Sequence, residues 1–496
     1  MTTKRLWSIM ASAAMLVTAP QVQAQESAEA TTEAITDFIA PCVVQRDLDA
    51  LYKALQTTTV DLYAFRSKAD YDAYYVGLRA SVTAPMSRLD ATLLFQRLAG
   101  YARIGHVRSY AWLNEVFGEF GKGAKFAPIF LRVEPDGRVF LTDNANADGS
   151  APAGAQLLSI NGEPIARVLA RIGNLVSGER AYMATTVLED FFPPLFWTQN
   201  RDATEAQLEL MLEGERVTAS VPAITFGEYR AMETGVPSPG TDFNTREFRM
   251  IGESTGYLRP GPFSALEGEE PVDGLSEAAM IAFLDASFEE LIASGASDLI
   301  IDLRNNSGGD ISFSDPMIAW FADKPFRFSS SFTLRASAVA KAHYDRVAGP
   351  DADVSPFLAR LALEERAHDN GALYPFEIDH VPPREGQRFE GRVWVLINRK
   401  SYSNATSTAA LIKDYGFGTI MGEETADVPT SFASIIPFIL PETGFTVDLP
   451  KSYFVRPSGD ETVRGVVPEI VLPRQEIASA EDTMLKAALE AVRAVQ

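Results

Sequence analysis

Residues 299–309 read LIIDLRNNSGG, and this stretch constrains the chain more than any other. Leu299, Ile300 and Ile301 form a short run with the bias of a strand buried on both faces. Asp302-Leu303-Arg304 ends the run, and residues 305–309 are turn chemistry. Gly308 and Gly309 open backbone angles closed to other residues and leave N–H groups uncovered by a side chain. Exposed amides at the end of a buried strand suit an anion or a developing oxyanion. Alone, the stretch reads equally well as an ordinary strand-to-helix turn, and the rest of the chain decides between the two.

A chain of 496 residues, 46% hydrophobic and 22% charged, builds a substantial core and has room for two to four domains. Lys4 and Arg5 precede an apolar stretch from Leu6 to Leu16, and Val22-Gln23-Ala24 offers small residues for cleavage. Residues 1–24 therefore read as a secretory signal, too short to span a bilayer, and the protein is expected to be exported to a periplasm or secreted. No later apolar run is long enough to cross a membrane. The net charge of −22, about −24 without the signal, repels phosphate backbones and argues against nucleic-acid binding. Cys42 is the single cysteine, so an internal disulfide and a cysteine metal cluster are excluded. His106, His343, His368 and His380 lack metal-ligand spacing, and neither a metal nor any other cofactor is expected. Nothing in the sequence sets an oligomeric state.

Four sections follow one another: the signal (1–24), a helical domain (25–118), a strand-rich middle with its linker (119–245) and an α/β section (246–496). In the helical domain Leu48, Leu51, Tyr52 and Leu55 recur at helical spacing, as do Tyr71, Tyr74, Tyr75 and Leu78, then Leu93, Leu94, Leu98 and Tyr101. Asp47 and Ser87 or Asp90 are candidate helix starts. Gly105 stops a helix and leaves His106 in the turn beyond it. In the middle section Pro135-Asp136-Gly137, Asn161-Gly162 and Glu213-Gly214 mark hairpins, Pro193-Pro194 is expected to break a helix over 166–196, and 223–244 reads as a linker.

In the last section a helix is expected over 276–294, leading into the 299–301 strand, and another over 310–322. Residues 326–387 read as an insertion covering the site. Strand 392–398, helix 405–415 and strand 418–421 make a parallel crossover unit. A hairpin around Pro441–Gly444 and a tail helix over 478–495 close the chain. Ser403 falls where a buried strand gives way to a helix N-terminus, a place that projects a hydroxyl past the sheet edge. A serine nucleophile needs that exposure and a base within hydrogen-bond reach. Seen alone, Ser401 or Ser403 reads first as an N-cap, common at helix starts.

Taken in order, Leu299–Gly309, Trp394–Thr406, Gly422–Thr425 and Gly465–Ile470 resemble the tail-specific (C-terminal processing) serine peptidases and the related tricorn core. The segment 154–165, GAQLLSINGEPI, is similar to the carboxylate-binding-loop region of PDZ domains. The resemblance covers roughly 36–473 and implies an α/β fold: a crotonase/ClpP-like catalytic core, an N-terminal helical domain and a PDZ-like β-rich middle domain. It implies a serine endopeptidase that cleaves polypeptides through an acyl-enzyme, with Ser403 as nucleophile.

Two positions depart from the processing peptidases. Their lysine base lies in a GxxTxGK stretch, which here reads Gly422-Glu423-Glu424-Thr425-Ala426-Asp427-Val428, so Val428 stands at the lysine position. Thr406 stands where an acid is usual. The tricorn-like branch uses instead a histidine from a GH turn and a glutamate near the C-terminal GV-x-P motif. On that pattern His106 is the general base and Glu461 its orienter, because an imidazole can take the serine proton while a carboxylate fixes its tautomer. Gly308 (or Gly309) and Asn404 would supply the oxyanion hole, with Asp302 and Arg304 bracing the turn. Two rivals are a catalytically retired peptide-binding protein on the same scaffold and an acyl-CoA enzyme, the latter disfavoured by export.

Overall fold

The computed structural model describes residues 38–495 apart from 233–235, 271, 273–274, 350–353 and 355. The expected signal over 1–24 lies outside the described residues. The fold is a mixture of helix and sheet organised on a six-stranded sheet with the order Glu247–Ile251, Thr255–Arg259, Asp298–Asp302, Arg392–Ile397, Thr419–Gly422 and Ile470–Val471. Only the first pair is antiparallel; the others run parallel, with Ile301 opposite Val395 and Ile397 opposite Gly422. This register brings the C-terminal ends of three strands side by side, the end of an open parallel sheet where ligands bind.

Side-chain alternation explains why the central strands are apolar on both faces. Leu299, Ile301, Val393, Val395 and Ile397 pack under helices Ala278–Ala293, Ile311–Ala319 and Asn404–Tyr415. Ile300, Trp394, Leu396 and Met421 face the other way, onto the tail helix Thr483–Ala494. Each of these buried aliphatic side chains is worth about 1.5–3 kcal/mol relative to exposure. Among the described residues no helix is long and apolar enough to cross a membrane.

The middle section forms an antiparallel sheet ordered Leu131–Val133, Val139–Leu141, Gln156–Ile160, Glu205–Leu212 and Glu215–Pro222. Asn161 (φ 53°) and Gly162 (φ 75°) make the tight turn their dipeptide promised. The helix expected over 166–196 is two, Ile165–Ile172 and Ala181–Trp197, and the second is itself two helical pieces joined across a kink at Phe191 (φ −113°, ψ 17°), just ahead of Pro193-Pro194. The stretch expected to be a linker contains a strand, Ile224–Thr225, paired with Lys125–Phe126, and a capped helix, Phe226–Ala231.

Helices Pro41–Thr58, Lys68–Ser81 and Arg88–Gly100 form the N-terminal section. Ser87 caps the last of these through the Asp90 N–H. Asp47 starts nothing: it lies buried inside the first helix and accepts from the Glu442 and Thr443 amides (both 2.9 Å), with Pro41 at the true start. Here tertiary contact overrides a local cap signal. Leu48, Leu51, Leu55, Leu94 and Leu98 pack directly on Phe432, Leu440, Phe445, Val447 and Leu449. These belong to a long hairpin, Ser431–Ile439 and Thr446–Val455. The insertion is built into the same hairpin. Its strand Ser331–Arg335 pairs with Thr446–Val455 and with Leu373–Pro375, and the buried ion pair Lys451–Glu365 (2.5 Å) lies where the two meet. Among the described residues none of its hydrogen bonds reaches His106 or Ser403; its bonds to Thr58, Thr59 and Val455 tie it to the first helix and the hairpin.

Candidate active site

Strand Arg392–Ile397 ends in a turn that is stitched to the turn after Asp298–Asp302. Asn305 N–H donates to Asn398 Oδ1 (3.1 Å), Asn398 Nδ2 to Asn305 Oδ1 (2.9 Å), and Tyr402 N–H to the Asn306 carbonyl (2.9 Å). Ser401 donates to the Leu303 carbonyl (2.7 Å) and is therefore structural, not a cap. Ser403 follows at φ 53°, ψ −123°, a conformation that costs a non-glycine residue about 1–3 kcal/mol. It is the residue before helix Asn404–Tyr415, yet its side chain caps no amide, which leaves Oγ available. Asp427 Oδ2 accepts the Ser403 N–H at 2.5 Å and holds this backbone in place.

Gly308 (φ +87°) must be glycine. A Cβ there would lie 2.6 Å from the Tyr402 carbonyl and 2.7 Å from the Asn404 nitrogen. The glycine turn thus touches the serine turn directly. The Gly308 N–H, however, donates to Asn306 Oδ1 at 2.8 Å, so it is not a free oxyanion donor. The Phe263 strand segment is bridged through Gly308 O and Asp310 N, which leaves the Gly309 amide out of the bridge. Of the three expected donors, Gly309 and Asn404 retain uncommitted N–H groups among the described residues. Asn404 is fixed by its side chain, which donates to Asp310 O (3.1 Å) and Ser314 Oγ (3.0 Å).

His106 arrives from the other end of the chain. Its turn is closed by Val107 N–H to Ile104 O (2.9 Å), and Ser177 Oγ donates to the same Ile104 carbonyl (2.6 Å). Arg108 then bridges to Asp448 of the long hairpin, whose N–H donates to the Arg108 carbonyl at 2.8 Å. The result sets His106 Nε2 3.4 Å from Ser403 Oγ, with the imidazole stacked on Tyr402 at 5.3 Å between centroids. Burial, with the Arg108 charge adding to it, pushes the His106 pKa down to about 3, so the ring is neutral at pH 7.

Glu461 does not meet His106. It is exposed and accepts from Tyr453 at 3.4 Å, while His106 Nδ1 is buried with no hydrogen-bond partner. Its loop is drawn away by Thr430, which donates to the Asp460 carbonyl (2.6 Å). Two other carboxyls stand at the site. Glu179 Oε1 accepts the Gly105 N–H (2.9 Å), and its other oxygen is buried and unpartnered. Asp427 is buried too, with Oδ1 unpartnered. Burial, reinforced by Asp427, pushes Glu179 up to about 7; burial pushes Asp427 up to about 6 against the pull of backbone amides. Asp427 sits in the Gly422–Val428 stretch, so position alone pointed near it. Glu179 stands in a Ser-Gly-Glu-Arg loop that carries no motif.

Asp302 and Arg304 brace the turn as expected. Arg304 pairs with Asp302 (2.6 Å) and Asp482 (2.7 Å), and Tyr257 donates to Asp302 (2.8 Å). Thr406 donates to the Ser401 carbonyl (2.8 Å) and is structural.

A neutral imidazole beside an uncapped serine hydroxyl on a strained turn is the arrangement by which serine-type peptidases activate their nucleophile. The chain is of that class. Residues 255–472 match the family model for peptidase family S41, and the chain carries a domain of that family. The fold as a whole is similar to that of mature CPAF, at 16% identity and a TM-score of 0.59, over 92% of this chain and 97% of that one. Mature CPAF complexed with lactacystin is similar at 16% identity and a TM-score of 0.57, over 92% and 98%. The photosystem II D1 C-terminal processing protease aligns at 16% identity over 90% and 97%, with a TM-score of 0.42. No curated protein matches the chain.

Proposed function

We propose that this chain is an exported serine endopeptidase that hydrolyses peptide bonds through an acyl-enzyme, with Ser403 as nucleophile and His106 as general base. The approach of Nε2 to Oγ at 3.4 Å carries the reading, since catalytic hydrogen bonds are often long before substrate binds. Ser403 Oγ attacks the peptide carbonyl while its proton passes to Nε2. The developing oxyanion meets the amides of Gly309 and Asn404. Nε2 then gives the proton to the departing amine as the C–N bond breaks, and water repeats the sequence on the ester. The neutral ring at pH 7 supports this role, because only the neutral form accepts a proton.

The core strands follow the crotonase/ClpP-like arrangement in this reading, and the antiparallel middle sheet is a PDZ-like module that holds a substrate terminus. Export rests on the basic and apolar stretch at the N-terminus. A second reading, a retired peptide-binding protein, is favoured by two observations: Nδ1 has no acceptor, and Val428 stands in place of a lysine. A fluorophosphonate probe separates the two. Labelling of the wild type that disappears in Ser403→Ala supports the peptidase; a folded, peptide-binding wild type that takes no label favours the scaffold.

A further inference from the structure

For His106 Nε2 to accept the Ser403 proton, the ring's own proton must sit on Nδ1, and a buried N–H needs an acceptor. Nδ1 has no partner in this conformation, and the expected carboxylate of Glu461 is exposed and bonded to Tyr453. We propose that Glu179 is the positioning carboxylate of His106, its Oε2 taking the Nδ1–H in the reacting conformer. The proposal rests on the peptidase reading for its catalytic consequence, but not for its geometry.

Four observations lead to Glu179. Its Oε1 is anchored on the amide of Gly105, the residue before His106, at 2.9 Å. Its Oε2 is buried and unpartnered, an acceptor without a donor in the same site as a donor without an acceptor. Gly105 leaves the room this requires: a Cβ there would lie 3.0 Å from Glu179 Oε2 and 2.2 Å from Met183 Cε. Finally, the other buried carboxyl of the site, Asp427, also has an unpartnered oxygen, Oδ1, but it is anchored on the Ser403 N–H, at the serine and not on the amide next to the imidazole. The imidazole thus has a carboxyl on the amide of the residue before it, and the serine has one on its own amide.

The charged groups around Glu179 set its behaviour. Asp427 opposes its ionisation, while Arg108 and the Gly105 amide favour it. Arg108 is itself tied to Tyr402 and faces Asp448 at 3.9 Å. The two buried carboxyls, pushed up to about 6 and about 7, lose their protons in successive steps, the charge on Asp427 holding the Glu179 proton on longer. Above about pH 7, Glu179 is an anion able to hold Nδ1–H and to stabilise the imidazolium formed when Nε2 takes the serine proton. Below it, that stabilisation fades.

The experiment uses the full-length protein in two readouts. In protein labelled with 15N-histidine at pH 8, with His106 assigned by loss of its signals in His106→Gln, the ring should be the neutral Nδ1–H tautomer with a low-field proton. Glu179→Gln should move that proton upfield, Glu179→Asp should retain part of the shift, and Asp427→Asn and Glu461→Gln should leave it in place. This readout needs no catalysis, so it stands even where Ser403 takes no label. In the second readout the rate of fluorophosphonate labelling should fall about 100-fold or more in Glu179→Gln. Its acid limb near pH 7 should disappear, while Glu461→Gln stays within about twofold of wild type. An Nε2–H tautomer, or an Nδ1–H signal insensitive to Glu179 but lost in Asp427→Asn or Glu461→Gln, overturns the assignment. Absence of any labelling in the wild type overturns the peptidase reading instead.

Discussion

Arg108, two residues after the His106 imidazole, donates from Nη1 to the phenol of Tyr402, the residue before Ser403, at 2.8 Å. The guanidinium also lies over the Tyr402 ring, and that ring stacks on His106. A cation, a phenol and an imidazole from opposite ends of the chain thus share one stack. Arg108 is part of what keeps His106 neutral, because a nearby positive charge disfavours a second one. In Arg108→Met the His106 pKa should rise toward its ordinary value, and the Tyr402 phenol loses its donor. NMR titration of His106 reads the first effect, and labelling kinetics, slowed about tenfold by a looser ring, read the second. An unchanged titration would show that burial alone depresses the ring.

Gly308 is the second test. Its positive φ and the 2.6 Å approach of a Cβ to the Tyr402 carbonyl mean that Gly308→Ala must push the serine turn away. The expected outcome is a stability loss of about 1–3 kcal/mol and a fall in labelling of at least about 100-fold, measured by urea unfolding and by probe kinetics. Gly137→Ala, at a positive φ with open space around it, should cost stability but not activity.

Stability should depend on pH through Glu179 with a definite sign. Its folded pKa, about 7, lies above the ordinary value of 4.5, so the folded state holds a proton that the unfolded chain releases. Its contribution is fully present below pH 4.5 and is lost as pH rises through 7, over a range of about 3 kcal/mol. Glu179→Gln should therefore gain stability relative to wild type as pH rises from 4.5 to 8, in the same range where it loses activity. His106 has the opposite sign. Its folded pKa, about 3, lies below 6.5, so the stability it confers falls as pH drops from 6.5 toward 3. Paired urea titrations of wild type, Glu179→Gln and His106→Gln at several pH values separate the two.

The ion pair Lys451–Glu365 is fully buried at 2.5 Å, and Glu365 also accepts from Ser337 N–H (2.8 Å) and Tyr374 (2.9 Å). Lys451→Met strands a carboxylate among apolar residues and should cost about 3–5 kcal/mol. Adding Glu365→Gln to Lys451→Met should recover part of that loss, since the neutral amide removes the stranded charge, its oxygen still accepts the Ser337 N–H, and its NH2 can donate to the Tyr374 hydroxyl. Thermal unfolding of the single and double variants gives the answer.

Much of the site could be read from local sequence because its parts are local. A strand of three apolar residues followed by Asn-Asn-Ser-Gly-Gly has few ways to turn, and Ser403 at a strand-to-helix junction has few places to point. The turn that holds His106 was legible for the same reason, although the helix before it ends at Gly100 and not at Gly105. Longer reach defeated the reading. Asp47 looked like a cap and is instead a buried acceptor for residues 442 and 443. The expected free amide of Gly308 is taken by the Asn306 side chain two residues before it.

The sequence by itself singled out the serine, the glycine turn and the histidine as candidates, since each stands in a short stretch whose order along the chain resembles a family pattern. Only the tertiary structure decided which carboxyl stands near the imidazole. Glu461 and Glu179 are equally acidic on paper, and the difference between them is burial: one faces water beside Tyr453, the other lies dry on the amide next to His106. Burial is a property of chain segments far apart in sequence being packed together, and no local pattern encodes it.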